Sequence, residues 1–249
     1  MFQNKVVIIT GSGAGIGRET ALRFAAQGAE VVVNSVSASA KAVRDEIHAA
    51  GGKVHFVQAD VSTMEGAKAV VDYTVNTCGK IDILVNNAGI VPNGSVETTS
   101  EEDWDRSMDV NVKSVYLMSR LCMPHLRAVK GCIVSTASAV ALKGVANRAA
   151  YSAGKAAVIA LSRSMAREYV ADGVRINCVS PGTIVTPSLE ARVHNTPDPV
   201  KTMQDFISRQ PIGRLGTTAE VAEAIMYLAG DKAGYITGFN LVLDGGMNM

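Results

Sequence analysis

KVVIITGSGAGIGRETALRFAAQG, residues 5–28, is the stretch whose reading decides the fold. Lys5 to Thr10 is a short continuous apolar run, as expected of a parallel strand buried on both faces. Gly11, Gly15 and Gly17 follow with the spacing T-G-x-x-x-G-x-G. Apolar residues then recur at helical intervals from Ile16 to Gln27, and Gly28 supplies a C-cap signal. Strand, glycine turn and helix together make a phosphate site. Glycine lets the backbone approach a pyrophosphate, and the N–H groups and dipole of the helix start stabilise its charge. The same turn without a ligand would be a tight connection only, but the strand–turn–helix context favours a dinucleotide.

Outward from this unit the pattern repeats. Strands are predicted over residues 30–34, 54–58, 81–85, 132–135, 174–179 and 240–243. Helices are predicted over 39–50, 64–77 and 101–126, around Tyr151, and after a Thr217-x-x-Glu220 capping box. The alternation implies an α/β fold: a single-domain doubly wound Rossmann fold over 1–249, with a seven-stranded parallel sheet and helices on both faces. Ligands of such sheets lie outside the carboxyl ends of the strands. Residues 186–217 are polar and interrupted by Pro197, Pro199 and Pro211, so they read as a mobile cover over a substrate.

Several strand ends carry polar groups. Asn34, Ser35, Val36 and Ser37 stand where an acidic residue would bind ribose hydroxyls and select NAD. With no carboxylate to repel a 2′-phosphate, and serines able to donate to it, the reading leans to NADP over NAD. Asp60 can accept from an adenine amino group, or simply close a turn. Asn86 and Asn87 suit a nucleotide site or a tie between strands. Asn111, in the middle of a helix, can bond a backbone carbonyl, bend the helix, or hold a water behind Lys155.

Tyr151 and Lys155 are four residues apart on one helix face, so phenol and ammonium can share a space. A nearby cation favours the phenolate, which makes Tyr151 a proton donor and acceptor. Ser138, in the loop before, can bind a reacting carbonyl oxygen. A lone Tyr-x-x-x-Lys pair is more often structural; the glycine turn is what gives this one weight.

Composition narrows the partners. The chain has 249 residues, 47% hydrophobic, and a formal net charge of +1, so no bulk field recruits nucleic acid or an anionic membrane. No apolar run approaches a membrane span. Cys78, Cys122, Cys132 and Cys178 are scattered without a C-x-x-C pair, which points to reduced core thiols and a cytoplasmic location. His48, His55, His125 and His194 show no metal-ligand spacing, so no metal site is expected.

TGSGAGIG at 10–17, DV at 60–61, NNAG at 86–89, Asn111, Ser138, Tyr151, Lys155 and PGTIVT at 181–186 together resemble the short-chain dehydrogenase/reductase family, over essentially the whole chain. The resemblance implies a catalytic tetrad. Tyr151 would exchange the proton, Ser138 would orient the substrate oxygen, Lys155 would bind the nicotinamide ribose and lower the Tyr151 pKa, and Asn111 would hold a relay water. It implies cofactor contacts from Gly11, Ser12, Gly15, Ile16, Gly17, Ser35, Asp60, Val61, Asn87, Ala88 and Gly89. Tyr151, Lys155, Pro181, Gly182, Ile184 and Thr186 complete that set, and a homotetramer built through the long helices is implied too.

KGVANRAAYSAGKAAVIAL, PGTIVTPSLEARV and ISRQPIGRLGT further resemble a group that includes cytosolic type 2 3-hydroxybutyrate dehydrogenases, 4-oxoproline reductases and 2-keto-3-deoxy sugar-acid dehydrogenases. There three arginines bind the substrate carboxylate, matching Arg148, Arg192 and Arg209. Arginine's planar fork suits a carboxylate, although arginines are commonly just surface residues. Ser35 stands where that group has an Asp. The expected activity is interconversion of a secondary alcohol and a ketone on a small hydroxy or keto acid. The alternatives are a broad carbonyl or 3-oxoacyl-carrier reductase, and a cofactor-binding sensor or scaffold without turnover.

Overall fold

The computed structural model describes residues 1–249. Seven parallel strands lie in the order β3-β2-β1-β4-β5-β6-β7. They are β1 (Val6–Ile9), β2 (Glu30–Ser35), β3 (Lys53–Gln58), β4 (Ile83–Asn86), β5 (Cys132–Thr136), β6 (Arg175–Pro181) and β7 (Asn240–Leu243). The order reverses between β1 and β4, which opens a crevice at their carboxyl ends.

The continuous apolar strands are explained by two covered faces. Along β1, Val7 and Ile9 pack with Phe24 of α1 (Gly15–Ala26), Ile47 of α2 (Ser39–Ala49) and Ile225 near the C-terminus. Ile8 points the other way, against Val70 of α3 (Met64–Cys78) and Met118 further on. Side chains alternate across a strand, so a strand buried on both faces must be apolar at every position. Burying each such side chain contributes about 1.5–3 kcal/mol.

The long helix expected over 101–126 is interrupted. It begins as α4 (Glu101–Met108), capped by Ser100, widens into a π-helical turn over Asp109–Lys113, and resumes as α5 (Ser114–Val129). Asn111 lies in that turn: its buried amide makes two bonds to Ile90 in the loop after β4 and also donates to Ser107 Oγ of α4 at 3.2 Å. β6 also runs further than expected. Pro181 still pairs with Leu243 of β7, so the chain leaves the sheet after the proline and not before it.

The segment 186–217 is not the broken loop its prolines suggest. Pro187 and Pro199 sit at the first turns of α7 (Pro187–His194) and α8 (Pro199–Ser208), where a missing N–H is harmless. The two helices share a small apolar core of Leu189, Val193, Phe206 and Leu215. The chain then enters α9 (Thr218–Ala229) through the Thr217/Glu220 capping box. Tyr151 and Lys155 lie on α6 (Ala149–Tyr169). No helix is long and apolar enough to cross a membrane.

Candidate active site

A cleft of about 1000 Å³ opens at the carboxyl ends of the strands. Gly11, Gly15 and Ile16 line one end of it. Gly11 has φ +62°, and a Cβ there would fall 2.7 Å from Ala88 Cα. The turn can therefore exist in this form only with glycine. Ala14 caps α1 with no side-chain acceptor, and no acidic residue stands in the first turn. An anion brought to this end would meet unopposed N–H groups and the positive end of the helix dipole.

Two residues expected to touch the cofactor lie behind the cleft instead. Ser12 is fully buried; its hydroxyl donates to Asn34 O at 3.2 Å and accepts from Asn34 N at 2.9 Å. It pins the glycine turn to β2. Gly17 is a packing glycine, since a Cβ would run into the Gly11 carbonyl and lie 2.5 Å from Asn87 Nδ2. Both shape the turn from beneath.

Ser35, Asp60, Val61, Asn87, Ala88, Gly89, Pro181, Gly182, Ile184 and Thr186 line the cleft. Several are also spent on structure. Ser35 Oγ donates to Ser37 O at 2.6 Å and accepts from Ala40 N at 3.1 Å, so its proton is committed to the turn. Asp60 Oδ1 accepts from Ser62 N and Ser62 Oγ, an Asx turn, while Thr63 is the cap of α3. Asn86 donates to Ser119 and Ser135, and Asn87 donates to the carbonyls of Thr10 and Gly11. Both asparagines are thus ties between elements.

Tyr151, Lys155 and Ser138 meet at the centre of this cleft. Tyr151 sits in the first turn of α6, and Lys155 one turn on. Lys155 is only 5% exposed; its Nζ donates to Thr136 O at 2.8 Å and lies 5.8 Å from the Tyr151 ring centre. Burial pushes its pKa down to about 8. Ser138 caps a short 3-10 turn after β5, its hydroxyl accepting from Val140 N at 3.4 Å, and lines the cleft beside Tyr151. Asn111 does not line the cleft. Its Oδ1 accepts from Ile90 N at 3.1 Å and its Nδ2 donates to Ile90 O at 3.0 Å. A Cβ on Gly89 would be 2.8 Å from that Oδ1 and 3.4 Å from Lys155 Nζ, so glycine is what lets the three groups close up.

The phenol behaves differently from expectation. Its pKa is raised, because loss of hydration outweighs the Ser138 hydroxyl and the charges of Arg192 and Arg148. The cations that oppose the rise are the arginines, and the expected lowering by Lys155 does not appear. That ammonium is turned to the Thr136 carbonyl.

The three arginines come together. Arg148 caps α6, Arg192 lies in the last turn of α7 and Arg209 caps the end of α8. With Ser138 and Tyr151 they line an adjoining cavity of about 90 Å³. The pKa values of Arg148 and Arg192 are lowered by burial, and Arg209 repels both. Arg148 donates to Asn93 and to Asn147 O, Arg192 to Ser188 O, and the Arg209 guanidinium lies 4.6 Å from the centre of the Phe206 ring. The arginines that form ion pairs in the chain are others: Arg18, Arg23, Arg44, Arg127 and Arg214.

One lining residue had no signal in the sequence. Met247 reaches this cavity because the C-terminal tail folds back, with Asn248 donating to Ala139 O and Lys143 to Met247 O. Such a return is set by tertiary contacts alone.

A family model described as enoyl-(acyl carrier protein) reductase matches residues 11–248. An uncharacterized oxidoreductase of Thermotoga maritima is 44% identical, over 98% of each chain. Dehydrogenase/reductase SDR family member 6 of Rattus norvegicus is 39% identical, over 99% of this chain and 98% of its own. The crystal structure of 3-ketoacyl-(acyl-carrier-protein) reductase from Brucella melitensis, complexed with NADH, superposes with a TM-score of 0.90 at 34% identity, covering 100% of both chains.

Proposed function

The chain belongs to the short-chain dehydrogenase/reductase family of NAD(P)-dependent oxidoreductases acting on alcohol and ketone groups, and from that premise we propose that its substrate is a small anionic hydroxy or keto acid. One observation carries this reading. Three guanidinium groups converge on a cavity that also contains the Tyr151 phenol, and they repel one another there. A carboxylate would relieve the repulsion and take up their forked donors.

The cleft fits a dinucleotide. The Gly11 turn admits a close-lying phosphate, and the start of α1 offers it N–H donors. A nicotinamide coenzyme held there would supply or accept the hydride. Tyr151 exchanges the proton with the substrate oxygen, and Ser138 holds that oxygen beside the phenol. Lys155 binds the nicotinamide ribose, and Asn111 keeps the loop after β4 in place behind it and supports a relay water. Arg148, Arg192 and Arg209 hold the carboxylate end. The helices α7 and α8 act as the cover that closes over both ligands.

NADP(H) is the preferred coenzyme in this reading. Ser35, Ser37 and Ser39 line the cleft where β2 ends, and no carboxylate stands among them. The neighbour with NADH bound keeps NAD(H) as the competing outcome. We place a homotetramer on the helix pair α4–α5, where Trp104 and Tyr116 are exposed.

The experiment is a panel of hydroxy acids, sugar acids and neutral alcohols with both coenzymes, run on the parent, Arg148→Ala and Arg209→Ala. Each lost charged hydrogen bond is worth roughly 1.5–3 kcal/mol, so kcat/KM on acids should fall roughly 10–150-fold per variant while neutral ketones keep their rates. Equal losses on both classes would instead support a broad carbonyl or 3-oxoacyl-carrier reductase.

A further inference from the structure

The amino edge of the sheet, away from the cleft, gathers a second set of reactive side chains. Glu30 opens β2, His55 lies on β3 and Cys78 ends α3. Val32 pairs with His55 in the parallel register, so Glu30, Val32 and His55 stand on one face of the sheet. That is the face α3 covers: Val32 packs with Val70 and Val71, and Cys78 rests against the same cluster. One ligand atom from each of Glu30, His55 and Cys78 lies within 4.8 Å of the other two. His55 Nε2 is 2.8 Å from Glu30 Oε1. Those side chains are 24% and 26% exposed, and β3 is the edge strand, so the group is neither sealed from water nor spread on the surface.

We propose that Glu30, His55 and Cys78 bind a zinc-type divalent ion, with water as the fourth ligand. Carboxylate, imidazole and thiolate are the donor types zinc takes, and three protein ligands with one open position is an established arrangement. A thiolate in the set argues against magnesium or calcium, which favour oxygen donors. The doubly positive ion would balance the carboxylate and the thiolate, leaving a neutral centre that a half-buried site tolerates. Tetrahedral bonds of about 2.0–2.3 Å place ligand atoms roughly 3.5 Å apart, so the wider separations need close in by little more than an ångström while Glu30 and His55, now 2.8 Å apart, part by roughly 0.7 Å.

The surroundings agree. Cys78 is the last residue of α3, and the last turn of that helix has no basic side chain. A cation there would meet the negative end of the helix dipole. Lys53, which pairs with Glu30, is exposed and can swing aside on its flexible stem. On binding, the Cys78 thiol proton leaves to water. The His55 proton moves from Nε2 to Nδ1 as the metal replaces the hydrogen bond to Glu30. The ion would clamp the edge strand to α3 and take no part in hydride transfer.

Cobalt(II) reports on such a site through thiolate-to-metal charge-transfer absorbance. Titration of the full chain should give that band at one equivalent. Cys78→Ser should abolish it, and both Cys78→Ser and His55→Gln should weaken binding at least tenfold. Zinc should raise the Tm of the parent reversibly to EDTA, and should not raise that of Cys78→Ser. Hydride transfer should persist in both variants, which separates this proposal from the one on the substrate. A band that survives Cys78→Ser would assign the metal to another thiol and overturn the proposal. So would a parent that shows neither band nor zinc-dependent stabilisation. If Cys78→Ser does not fold, undiminished cobalt affinity in His55→Gln overturns it equally.

Discussion

Lys155 holds its charge where burial disfavours it, and that has a measurable consequence. Its folded pKa of about 8 lies below the ordinary lysine value of 10.5. Between those values the unfolded chain keeps a proton that the folded chain has lost, so stability rises as pH climbs from 8 to 10.5. Lys155→Met removes this dependence. The unfolding free energy of the parent relative to Lys155→Met should therefore rise by up to about 3 kcal/mol across that window, measured by urea denaturation without coenzyme. A constant difference would mean the ammonium is well solvated. The neighbouring phenol is tested by Tyr151→Phe, which keeps the ring and removes the proton path. It should lower kcat by roughly 10²–10⁴ and leave coenzyme affinity, read by fluorescence titration, nearly unchanged.

At the scale of the element, the glycine turn and the divided α4–α5 helix show how local sequence answers to its neighbours. Gly17 belongs to α1, yet its lack of a side chain is demanded by Gly11 and Asn87. Gly17→Ala, a favourable change in an isolated helix, should here cost about 1–3 kcal/mol and displace the turn. Coenzyme affinity should drop at least tenfold, a loss visible in the same titration; a more stable protein with intact affinity would contradict the packing argument. Asn111 makes a comparable point. An amide in mid-helix signals something unusual, but only the fold shows its use: within the π turn it bonds Ile90 N–H and C=O on another segment as well as Ser107 of its own helix. The prolines of 186–217 carry an ambiguous signal for a similar reason. Pro at the first helical turn and Pro ending a helix look alike until the helix partner is known.

The whole molecule is a sheet whose carboxyl edge is open, so ligand binding and folding are linked. Coenzyme at about 100 times its Kd should stabilise the protein by about 2.7 kcal/mol, which for a chain of this size raises Tm by roughly 5–10 °C. Thermal scans with NADP(H) and NAD(H) at equal concentration should show the larger shift with NADP(H). A larger shift with NAD(H) would reverse the coenzyme assignment.

What the amino-acid sequence determined by itself was the alternation of strand and helix, the seven strands, and the side of the sheet where the polar strand ends collect. These follow from short-range rules of backbone geometry and side-chain periodicity, which act within ten or so residues. The tertiary structure alone decided which polar groups face the cleft and which are spent behind it, as with Ser12 and Asn86. It also decided that burial governs the Tyr151 proton more than Lys155 does, and that Arg148, Arg192 and Arg209 share one cavity. The meeting of Glu30, His55 and Cys78 was equally hidden, because no spacing rule links a strand start, an edge strand and a helix end. Desolvation, charge repulsion and ligand geometry depend on distance in space, and in this fold such distances arise only when the sheet has brought remote segments side by side.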